Sequence, residues 1–338
     1  MSDSTVLVLG TEPPVRLDRL DGRASVVVCD DASFPDLLPT ADALLVWDFG
    51  SRAVRDGWPA TGPRPGWVHT ASAGVDHLLS PALAASPTLV TNARGVFEQP
   101  IAEYVAGLVI AMAKDFPGSW ELQRQRRWRH RNTMRLAGSR AVVVGGGPIG
   151  QAVARTLAAL GVVTELVGRT ARPGVRGADE LDGLLPEADW VVCAAPLTAA
   201  TRGMFDRDAF ARMKPTARFV NIGRGPLVVE DDLVEALVKR RIAGAALDVF
   251  ENEPLGVDSR MWDVPGLFVS PHMSGDTAGW RHDLAEQFQD NFDRWAAGEP
   301  LLNVVDKRLG YVPAAAPQTP GTAASEPPGP TDPSRRTV

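Results

Sequence analysis

The sequence predicts an α/β protein made of two doubly wound parallel-sheet domains, with one domain inserted into the other. Short apolar runs rich in β-branched residues alternate with helical stretches along most of the chain, which is the pattern of parallel sheets covered on both faces. One connection between such a run and a helix is a glycine-rich turn. Near the C-terminal end, a helix with one apolar face is suited to bring the chain back to the first domain.

The first domain is predicted from five short strands within residues 1–97, each bounded by Gly, Pro, Asp or Asn. Five parallel strands are enough for a small domain of the flavodoxin-like type. The predicted strands are Val6–Leu9, Ser25–Cys29, Ala43–Trp47, Trp67–Thr70 and Thr88–Thr91.

A second series of six strands follows a long helix, which is predicted from Gln99 to Phe116 with Pro100 in its first turn. Six strands with interleaved helices match one dinucleotide-binding domain of the Rossmann type. The predicted strands are Ala141–Val144, Val162–Val167, Trp190–Cys193, Arg218–Ile222, Ala243–Asp248 and Leu267–Ser270.

The last predicted helix, from Ala278 to about Ala297, completes the first domain. Its large apolar residues recur at three- and four-residue spacings, at Leu284, Phe288, Phe292 and Trp295. We expect a proline-rich, disordered C-terminal tail, because it contains too few large apolar side chains to form a packed core. The expected division is residues 1–98 and 278–310 for the first domain, 99–277 for the inserted domain and 311–338 for the tail.

Composition excludes several classes of function. Of 338 residues, 44% are hydrophobic and 22% are charged, which is typical of a globular protein large enough for two cores. The net charge of −6 argues against general binding to nucleic acid. Cys29 and Cys193 are too few and too isolated for a disulfide framework or a structural zinc site, which favours a reducing compartment. Without a recognisable leader or an apolar span, we expect a cytoplasmic protein with no membrane partner and no metal.

The glycine-rich turn reads AVVVGGGPIG and places Gly145, Gly147 and Gly150 between a strand and a helix. The first glycine makes the tight turn, the second lets the backbone approach a pyrophosphate, and the third lets the helix pack closely on the strand. The helix predicted at Gln151–Leu160 offers free N–H groups to the phosphates. The turn therefore predicts dinucleotide binding, although such turns also occur for packing alone.

The end of the next strand indicates which dinucleotide is bound. An NAD site usually has an acidic residue there, about 20 residues after the first glycine, but Glu165 lies inside the strand. The tip carries Arg169, Thr170 and Arg172 instead, and guanidinium groups bind phosphate through charge-assisted hydrogen bonds. We expect NADP (NADPH) to be favoured, with NAD possible. The alternative is that both arginines are solvated loop charges.

Three charged or titratable residues follow three successive strands of the second series. Arg224 lies in FVNIGRGPLV, Glu253 in ALDVFENEPL and His272 in LFVSPHMSG, and parallel sheets bind ligands at these carboxyl ends. Hydride transfer to a 2-oxo acid requires a cation for the carboxylate, an acid for the developing alkoxide and a group that orients this acid. Each residue alone would more often be a solvated side chain, but together they predict a catalytic site.

The segments around these residues resemble those of a known family. NARGVFEQPIAEYVAGLVIAM, LAGSRAVVVGGGPIG, CAAPLTAATRGMF, FVNIGRGPLVVEDDLVEAL, DVFENEPL and SPHMSG follow one another over roughly Trp67–Asp306. In this order they resemble the D-isomer-specific 2-hydroxyacid dehydrogenases. The strand tip without an acidic residue is similar to the branch of NADPH-dependent glyoxylate/hydroxypyruvate reductases. The resemblance implies an oxidoreductase that uses NAD(P)H to reduce a small 2-oxo acid to the D-2-hydroxy acid.

The resemblance also implies roles for individual residues. Arg224 would bind the substrate carboxylate, and His272 would be the acid/base, kept protonated by Glu253. Backbone groups of Ala73 and Gly74, in ASAGVDH, would complete the carboxylate site. Asp248 would contact the nicotinamide carboxamide, and the same motifs supply further expected cofactor contacts at Pro148, Ile149, Ala195, Pro196, Thr201, Ile222, Gly223 and Gly275.

Other features leave alternatives open. Trp47, Phe49 and Trp280 are candidates for a narrow apolar substrate pocket, but core or interface packing explains each of them as well. The basic segment Arg124–Arg135 could be a nucleic-acid surface, whereas the resemblance implies a homodimer built through this region. We interpret Cys193 as a small buried apolar residue.

Two other functions share this scaffold. A formate-type dehydrogenase is disfavoured because that family replaces the glutamate beside the histidine, whereas Glu253 is present. A nucleotide-sensing regulator of the C-terminal-binding corepressor type retains all three catalytic residues, so only measured turnover separates it from an enzyme.

Overall fold

The computed structural model describes residues 4–12, 14 and 16–313. Within them it contains eleven strands in two sheets. The strands are β1 (Ser4–Leu9), β2 (Ala24–Cys29), β3 (Ala43–Val46), β4 (Trp67–Thr70), β5 (Leu89–Asn92), β6 (Arg140–Val144), β7 (Val163–Val167), β8 (Trp190–Cys193), β9 (Arg218–Asn221), β10 (Gly244–Leu247) and β11 (Leu267–Val269). All the predicted strands are thus confirmed, with ends that shift by at most two residues.

The two sheets have related topologies. The first has the order β2-β1-β3-β4-β5 and the second has the order β11-β10-β9-β8-β6-β7, and all neighbouring strands are parallel. In each sheet the order reverses at its first strand, β1 or β6, and such a reversal opens a crevice at the carboxyl ends of the strands. The predicted fold class, two doubly wound parallel-sheet domains, is confirmed.

Ten α-helices occur in the described residues. They are α1 (Phe34–Leu37), α2 (Ala53–Gly57), α3 (Pro81–Ala85), α4 (Glu98–Ala113), α5 (Phe116–Arg124), α6 (Pro148–Ala159), α7 (Leu181–Leu184), α8 (Arg207–Arg212), α9 (Glu230–Val238) and α10 (Trp280–Ala296).

The single helix predicted from Gln99 to Phe116 is wrong at its C-terminal end. Helix α4 stops at Ala113, and α5 begins at Phe116. Asp115 between them adopts a left-handed conformation, with φ of 50°, and its carboxylate accepts a hydrogen bond from the N–H of Gly118 at 3.2 Å. A local side-chain cap of this kind competes with helix continuation.

Helix α10 returns to the first sheet, as its apolar face predicts. Phe288 and Phe292 are buried against β1, β3 and β4. The Phe288 ring stacks on the Trp67 ring, with centroids 5.1 Å apart and planes inclined by 13°. Aromatic stacking of this kind adds to the stabilisation from area burial.

The chain after α10 stays attached to the first sheet. The N–H of Val305 donates to the carbonyl of Val90 at 2.8 Å, and Val312 packs against the core of the first domain. The N–H of Asp306 donates to the carbonyl of Tyr311 at 3.1 Å. Residues 311–313, the first three of the predicted tail, therefore have defined contacts. The rest of the predicted tail, 314–338, lies outside the described residues.

Cys193 is fully buried at the end of β8. Burial raises the pKa of its thiol to about 12, so the reactive thiolate is suppressed. This agrees with its interpretation as an apolar core residue. Among the helices of residues 4–313 that are described, none is long and apolar enough to cross a membrane.

Candidate active site

The three residues expected to be catalytic follow three adjacent strands of the second sheet. Arg224 comes after β9, Glu253 after β10 and His272 after β11. Neighbouring strands lie about 4.8 Å apart, so their carboxyl ends bring residues from distant parts of the chain together. The structure places these residues at one edge of the sheet, as predicted.

His272 and Glu253 form a direct pair. The Nδ1–H of His272 donates to Oε2 of Glu253 at 2.7 Å, and Oε1 of Glu253 accepts the N–H of Phe250 at 2.8 Å. Burial alone would raise the pKa of Glu253. The hydrogen bonds from His272 and Phe250 and the charges of His272 and Arg224 outweigh this effect and lower it. The ionised carboxylate therefore accepts the Nδ1 proton and fixes the imidazole tautomer.

Asp248 holds the loop that carries His272. Its Oδ1 accepts from the hydroxyl of Ser270 at 2.7 Å and from the N–H of Met273 at 3.0 Å, while Oδ2 accepts from the N–H of Ser274 at 2.9 Å. The N–H of His272 donates to the Asp248 carbonyl at 2.8 Å. Since Asp248 is completely buried, its position supports the loop, a role that sequence reasoning missed. Its expected contact with a nicotinamide carboxamide stays a prediction.

Arg224 is oriented by groups from both domains. Its Nε donates to Oδ1 of Asp76 at 3.0 Å and its Nη1 donates to the carbonyl of Gly223 at 2.8 Å. Its Nη2 passes so close to Gly74 that a Cβ at that position would lie 1.9 Å away. Gly225 is equally constrained, because a Cβ there would meet the backbone of Phe250 at 1.8 Å. Only glycine therefore lets the guanidinium lie against the loop at residue 74.

Asp76 was not expected from the sequence. Burial would raise the pKa of its carboxyl, but the charges of Arg224 and His77 more than offset this and lower it. The signal available in the sequence was an acidic residue two positions after the expected carboxylate-binding glycine of ASAGVDH. The partner of this acid is 148 residues away in the chain, which is why the pairing required the structure.

The backbone at Ala73 and Gly74 leaves its donors available. The Ala73 carbonyl accepts from Nδ2 of Asn92 at 2.6 Å, and the Gly74 carbonyl accepts from the hydroxyl of Ser72 at 2.7 Å. Within the described residues, the N–H groups of Ala73 and Gly74 have no hydrogen-bond partner. Free N–H groups beside a guanidinium suit a carboxylate ligand.

Of the three candidate aromatic residues, Phe49 lies close to His272, and Trp280 packs against Phe49. The Phe49 ring is 6.5 Å from the His272 ring and 6.2 Å from the Trp280 ring, measured between centroids. Trp280 also packs against Phe97 at 6.0 Å. Trp47 is partly buried and packs against two hydrophobic cores, one formed by α4, α6 and the second sheet and the other formed by α10 and the first sheet. Phe49 and Trp280 thus form an apolar wall beside His272, whereas Trp47 serves packing as well.

Each glycine of the turn after β6 has a distinct environment. Gly145 has φ of 128° and a Cβ there would meet the Ala194 carbonyl oxygen at 2.3 Å, while a Cβ at Gly150 would meet the Gly145 carbonyl oxygen at 1.8 Å. Around Gly147, at the N-terminus of α6, a Cβ would meet nothing within 4 Å. The first and third glycines are required by packing, and the second leaves open space at a helix N-terminus, where phosphates bind.

The tip of β7 has no free acid in the described residues. Glu165 pairs with Nε of Arg176 at 3.2 Å inside the sheet edge. Nη2 of Arg172 donates to the Gly146 carbonyl at 2.6 Å, so this arginine joins the tip to the glycine turn. Arg169 and Thr170 are exposed.

The other expected cofactor contacts lie along the same crevice. Pro148 and Ile149 open α6, and Thr201 closes a turn by donating its hydroxyl to the Pro196 carbonyl at 2.7 Å. Gly223 is packed against the Ala195 carbonyl, where a Cβ would be 2.9 Å away. The remaining two, which follow β9 and β11, are Ile222 and Gly275.

Comparisons with known proteins agree with this geometry. The model of the family "D-isomer specific 2-hydroxyacid dehydrogenase, NAD binding domain" matches residues 106–274. Glyoxylate/hydroxypyruvate reductase B of Pectobacterium carotovorum subsp. carotovorum is 31% identical over 314 residues, which are 86% of this chain and 94% of the relative.

Solved structures give the same result. An NADPH-dependent glyoxylate/hydroxypyruvate reductase from Sinorhizobium meliloti, in complex with NADP and sulfate, has a TM-score of 0.78 at 30% identity and covers 91% of this chain and 100% of its own. A second such reductase from that organism, in complex with NADP and malonate, has a TM-score of 0.78 at 27% identity, covering 93% and 100% of the two chains. The chain described above therefore belongs to the D-isomer-specific 2-hydroxyacid dehydrogenase family.

Proposed function

We propose that this protein reduces a small 2-oxo acid of the glyoxylate or hydroxypyruvate type to the D-2-hydroxy acid, with NADPH as the preferred cofactor. The observation that carries the proposal is the ionised Glu253 bonded to His272 at 2.7 Å, next to an arginine on the neighbouring strand end. This combination supplies an oriented proton donor and a carboxylate-binding cation in one crevice. The names of the related reductases support the same substrate class.

Arg224 would bind the substrate carboxylate. Asp76 and Gly223 already occupy Nε and Nη1, so Nη2, lying over Gly74, is the donor directed to the ligand. The free N–H groups of Ala73 and Gly74 would complete the site. Binding the carboxylate in this way also places positive charge close to the adjacent carbonyl, where negative charge develops during reduction.

His272 would protonate the developing alkoxide through Nε2, which makes no hydrogen bond in the described residues. Glu253 accepts the opposite ring proton and keeps the imidazolium oriented. The apolar rings of Phe49 and Trp280 would limit water at the reacting carbon and favour a short substrate side chain. Trp47 would support the packing of this apolar wall.

The crevice at β6 and β7 fits a dinucleotide. When bound, the nicotinamide supplies the hydride. The open space at Gly147, with Pro148 and Ile149 at the N-terminus of α6, would hold the pyrophosphate. Arg169 and Thr170 would hold a 2′-phosphate. The contacts proposed for the rest of the cofactor are those at Arg172, Ala195, Pro196, Thr201, Ile222, Gly223, Asp248 and Gly275. We propose that residues 99–277 form this domain, and that residues 1–98 and 278–310 form the substrate domain.

We further propose that the active form is a homodimer built through α5 and the segment after it. Trp128 is fully exposed, and Phe116 and Trp120 are also exposed on the same arm. An apolar surface of this kind in an arginine-rich segment suits a protein partner better than solvent. Light scattering of the wild type should give a dimer mass. A Trp128→Glu variant should shift it toward the monomer, and a wild-type monomer mass would contradict the assembly.

Turnover of a substrate panel tests the central proposal. Glyoxylate, hydroxypyruvate, pyruvate and phenylpyruvate should each be assayed with NADPH and with NADH by following absorbance of the reduced cofactor. We expect the two short polar oxo acids to give the highest kcat/KM. Cofactor binding without turnover of any oxo acid would favour a nucleotide-sensing regulator. NAD-dependent oxidation of formate would favour the formate-type dehydrogenase.

A further inference from the structure

The two arginines at the tip of β7 have different surroundings. Arg172 is committed to the Gly146 carbonyl. Arg169 is exposed and has no salt-bridge or hydrogen-bond partner among residues 4–12, 14 and 16–313. Its guanidinium carbon lies over the ring of Tyr311, 5.7 Å from the centroid. Arg169 is therefore the cation with free donors, and an aromatic ring is what it contacts.

Tyr311 directly follows residues 278–310 of the proposed substrate domain and is tied to that domain. Its carbonyl accepts the N–H of Asp306 at 3.1 Å, and the next residue, Val312, packs in the core of the first sheet. Lys307 fixes the same segment by donating from Nζ to the carbonyls of Leu83 at 3.1 Å and Thr88 at 3.0 Å. The Tyr311 ring is thus held by the substrate domain and reaches across the crevice to the cofactor domain.

This contact is compatible with phosphate binding. An aromatic ring interacts with a guanidinium through its face, while the five N–H donors of arginine lie in the guanidinium plane. Arg169 can therefore keep the Tyr311 ring and still bind phosphate oxygens. Without the ring, an exposed arginine side chain would lose more conformational entropy when a phosphate fixes it.

We propose that Tyr311 is a positioning residue for cofactor selection, which holds Arg169 ready for the 2′-phosphate of NADPH. This inference rests on the proposed preference for NADPH. It assigns part of the NADPH preference to Tyr311, a residue that lies outside the dinucleotide-binding domain.

Equilibrium titration with NADPH and with NADH tests the inference. Tyr311→Leu should raise the Kd for NADPH about three- to fivefold, the scale of one partly exposed cation–π contact, and should leave the Kd for NADH unchanged. Tyr311→Phe keeps the ring and should bind both cofactors as the wild type does. In an Arg169→Ala background, Tyr311→Leu should have no further effect, because the contact is already lost.

The possible results separate this inference from the cofactor preference itself. Equal Kd values for the two cofactors in the wild type would remove the preference and this inference with it. A wild-type preference for NADPH that Tyr311→Leu leaves unchanged would overturn only the role of Tyr311. Equal weakening of both cofactors would also overturn it, since general packing would then be the cause. A Tyr311→Phe variant as weak as Tyr311→Leu would assign the effect to the phenol oxygen and contradict the contact through the ring.

Discussion

At the scale of single residues, the site depends on charges held in fixed directions. His272 has a left-handed backbone, with φ of 51°, in a loop tied to the buried Asp248. This conformation is uncommon for a non-glycine residue, and here the hydrogen bonds to Asp248 hold it. The structure thus fixes the imidazole from its backbone as well as from Glu253.

Removing the imidazole should abolish proton transfer. His272→Ala should lower kcat for oxo acid reduction by about a hundredfold or more, the usual scale for losing a positioned acid. Glu253→Gln should also lower kcat, because the carboxylate that orients the imidazole is gone. Stopped-flow rates provide the measurement, and a His272→Ala variant with wild-type kcat would exclude the acid/base role.

Asp76 should affect substrate binding through Arg224. Asp76→Asn keeps a hydrogen-bond acceptor but removes the charge. A charge-assisted bond is worth ~1.5 kcal/mol or more, and partial exposure of the pair reduces this value. We therefore expect the KM for the oxo acid to rise about three- to tenfold. The KM for NADPH should stay unchanged. Asp42→Asn is the matched control, because among the described residues the Asp42 carboxylate accepts only from the N–H of Thr5, at the other end of the first sheet. An unchanged KM in Asp76→Asn would show that Gly223 alone orients the guanidinium.

At the scale of elements, we propose that the β6–turn–α6 unit and the tip of β7 together decide which cofactor is bound. The turn would supply a site that any dinucleotide pyrophosphate can use. The tip presents Arg169 where an NAD-specific site would present a carboxylate. We therefore expect discrimination between NADPH and NADH to depend on the loop after β7.

Reversing the charge at the tip should reverse the preference. We expect the wild type to favour NADPH over NADH by about tenfold to a hundredfold in kcat/KM, from charge-assisted bonds to one phosphate. Arg169→Asp should favour NADH, chiefly through KM, because a carboxylate repels the 2′-phosphate and binds ribose hydroxyls. The preference of the wild type should shrink as salt increases.

Arg155→Asp is the matched control for that variant. Arg155 is exposed on α6 and the substitution changes the net charge by the same amount. The preference should survive in this control. If both substitutions reduce it equally, the general field of the protein, and not a contact at the strand tip, selects the cofactor.

At the scale of the whole molecule, buried histidines make stability depend on pH. His69 lies in β4 among Trp67, Thr91 and Phe288, is completely buried, and has an Nε2 atom without a partner in the described residues. Burial lowers its pKa to about 3. His77 is shifted in the same direction, to about 4, mainly by burial.

The sign of the effect follows from where the proton binds first. In the unfolded chain His69 takes up a proton near pH 6.5, whereas in the folded chain it does so only near pH 3. As pH falls below 6.5, His69 binds a proton in the unfolded state but not in the folded state. The free energy of unfolding therefore decreases, by roughly 2 kcal/mol at pH 5 for this residue. Chemical unfolding at pH 7.5 and pH 5 should show the loss.

Substitution of His69 should reduce this loss. In His69→Phe the Trp67 indole can still donate to Thr91, and the difference between pH 7.5 and pH 5 should be smaller than in the wild type. His130→Gln removes an exposed histidine and should keep the wild-type difference. Identical pH dependence in His69→Phe and the wild type would contradict a neutral, buried His69.

Most of the fold could be predicted from the sequence, because local residue patterns determine the strands and helices. Apolar runs identified the strands, and the spacing of Leu284, Phe288 and Phe292 identified the returning helix. Arg224, Glu253 and His272 could be placed together because each follows a strand, and adjacent parallel strands end at one edge. The boundary between α4 and α5 was missed, since the cap at Asp115 depends on a single left-handed residue.

Only the tertiary structure decided which groups contact one another across the chain. Asp76 contacts Arg224, and Tyr311 contacts Arg169, because the two domains pack together. The spacing of apolar residues in the sequence does not indicate these contacts. Contacts within the second domain commit Arg172 to the Gly146 carbonyl. In the described residues they leave Arg169 without a hydrogen bond, although both arginines look equivalent in the sequence. Local pattern determines where a strand ends and which residues follow it. The directions of side chains after that point are set by neighbours that are distant in sequence, because charge pairing and close packing act through space.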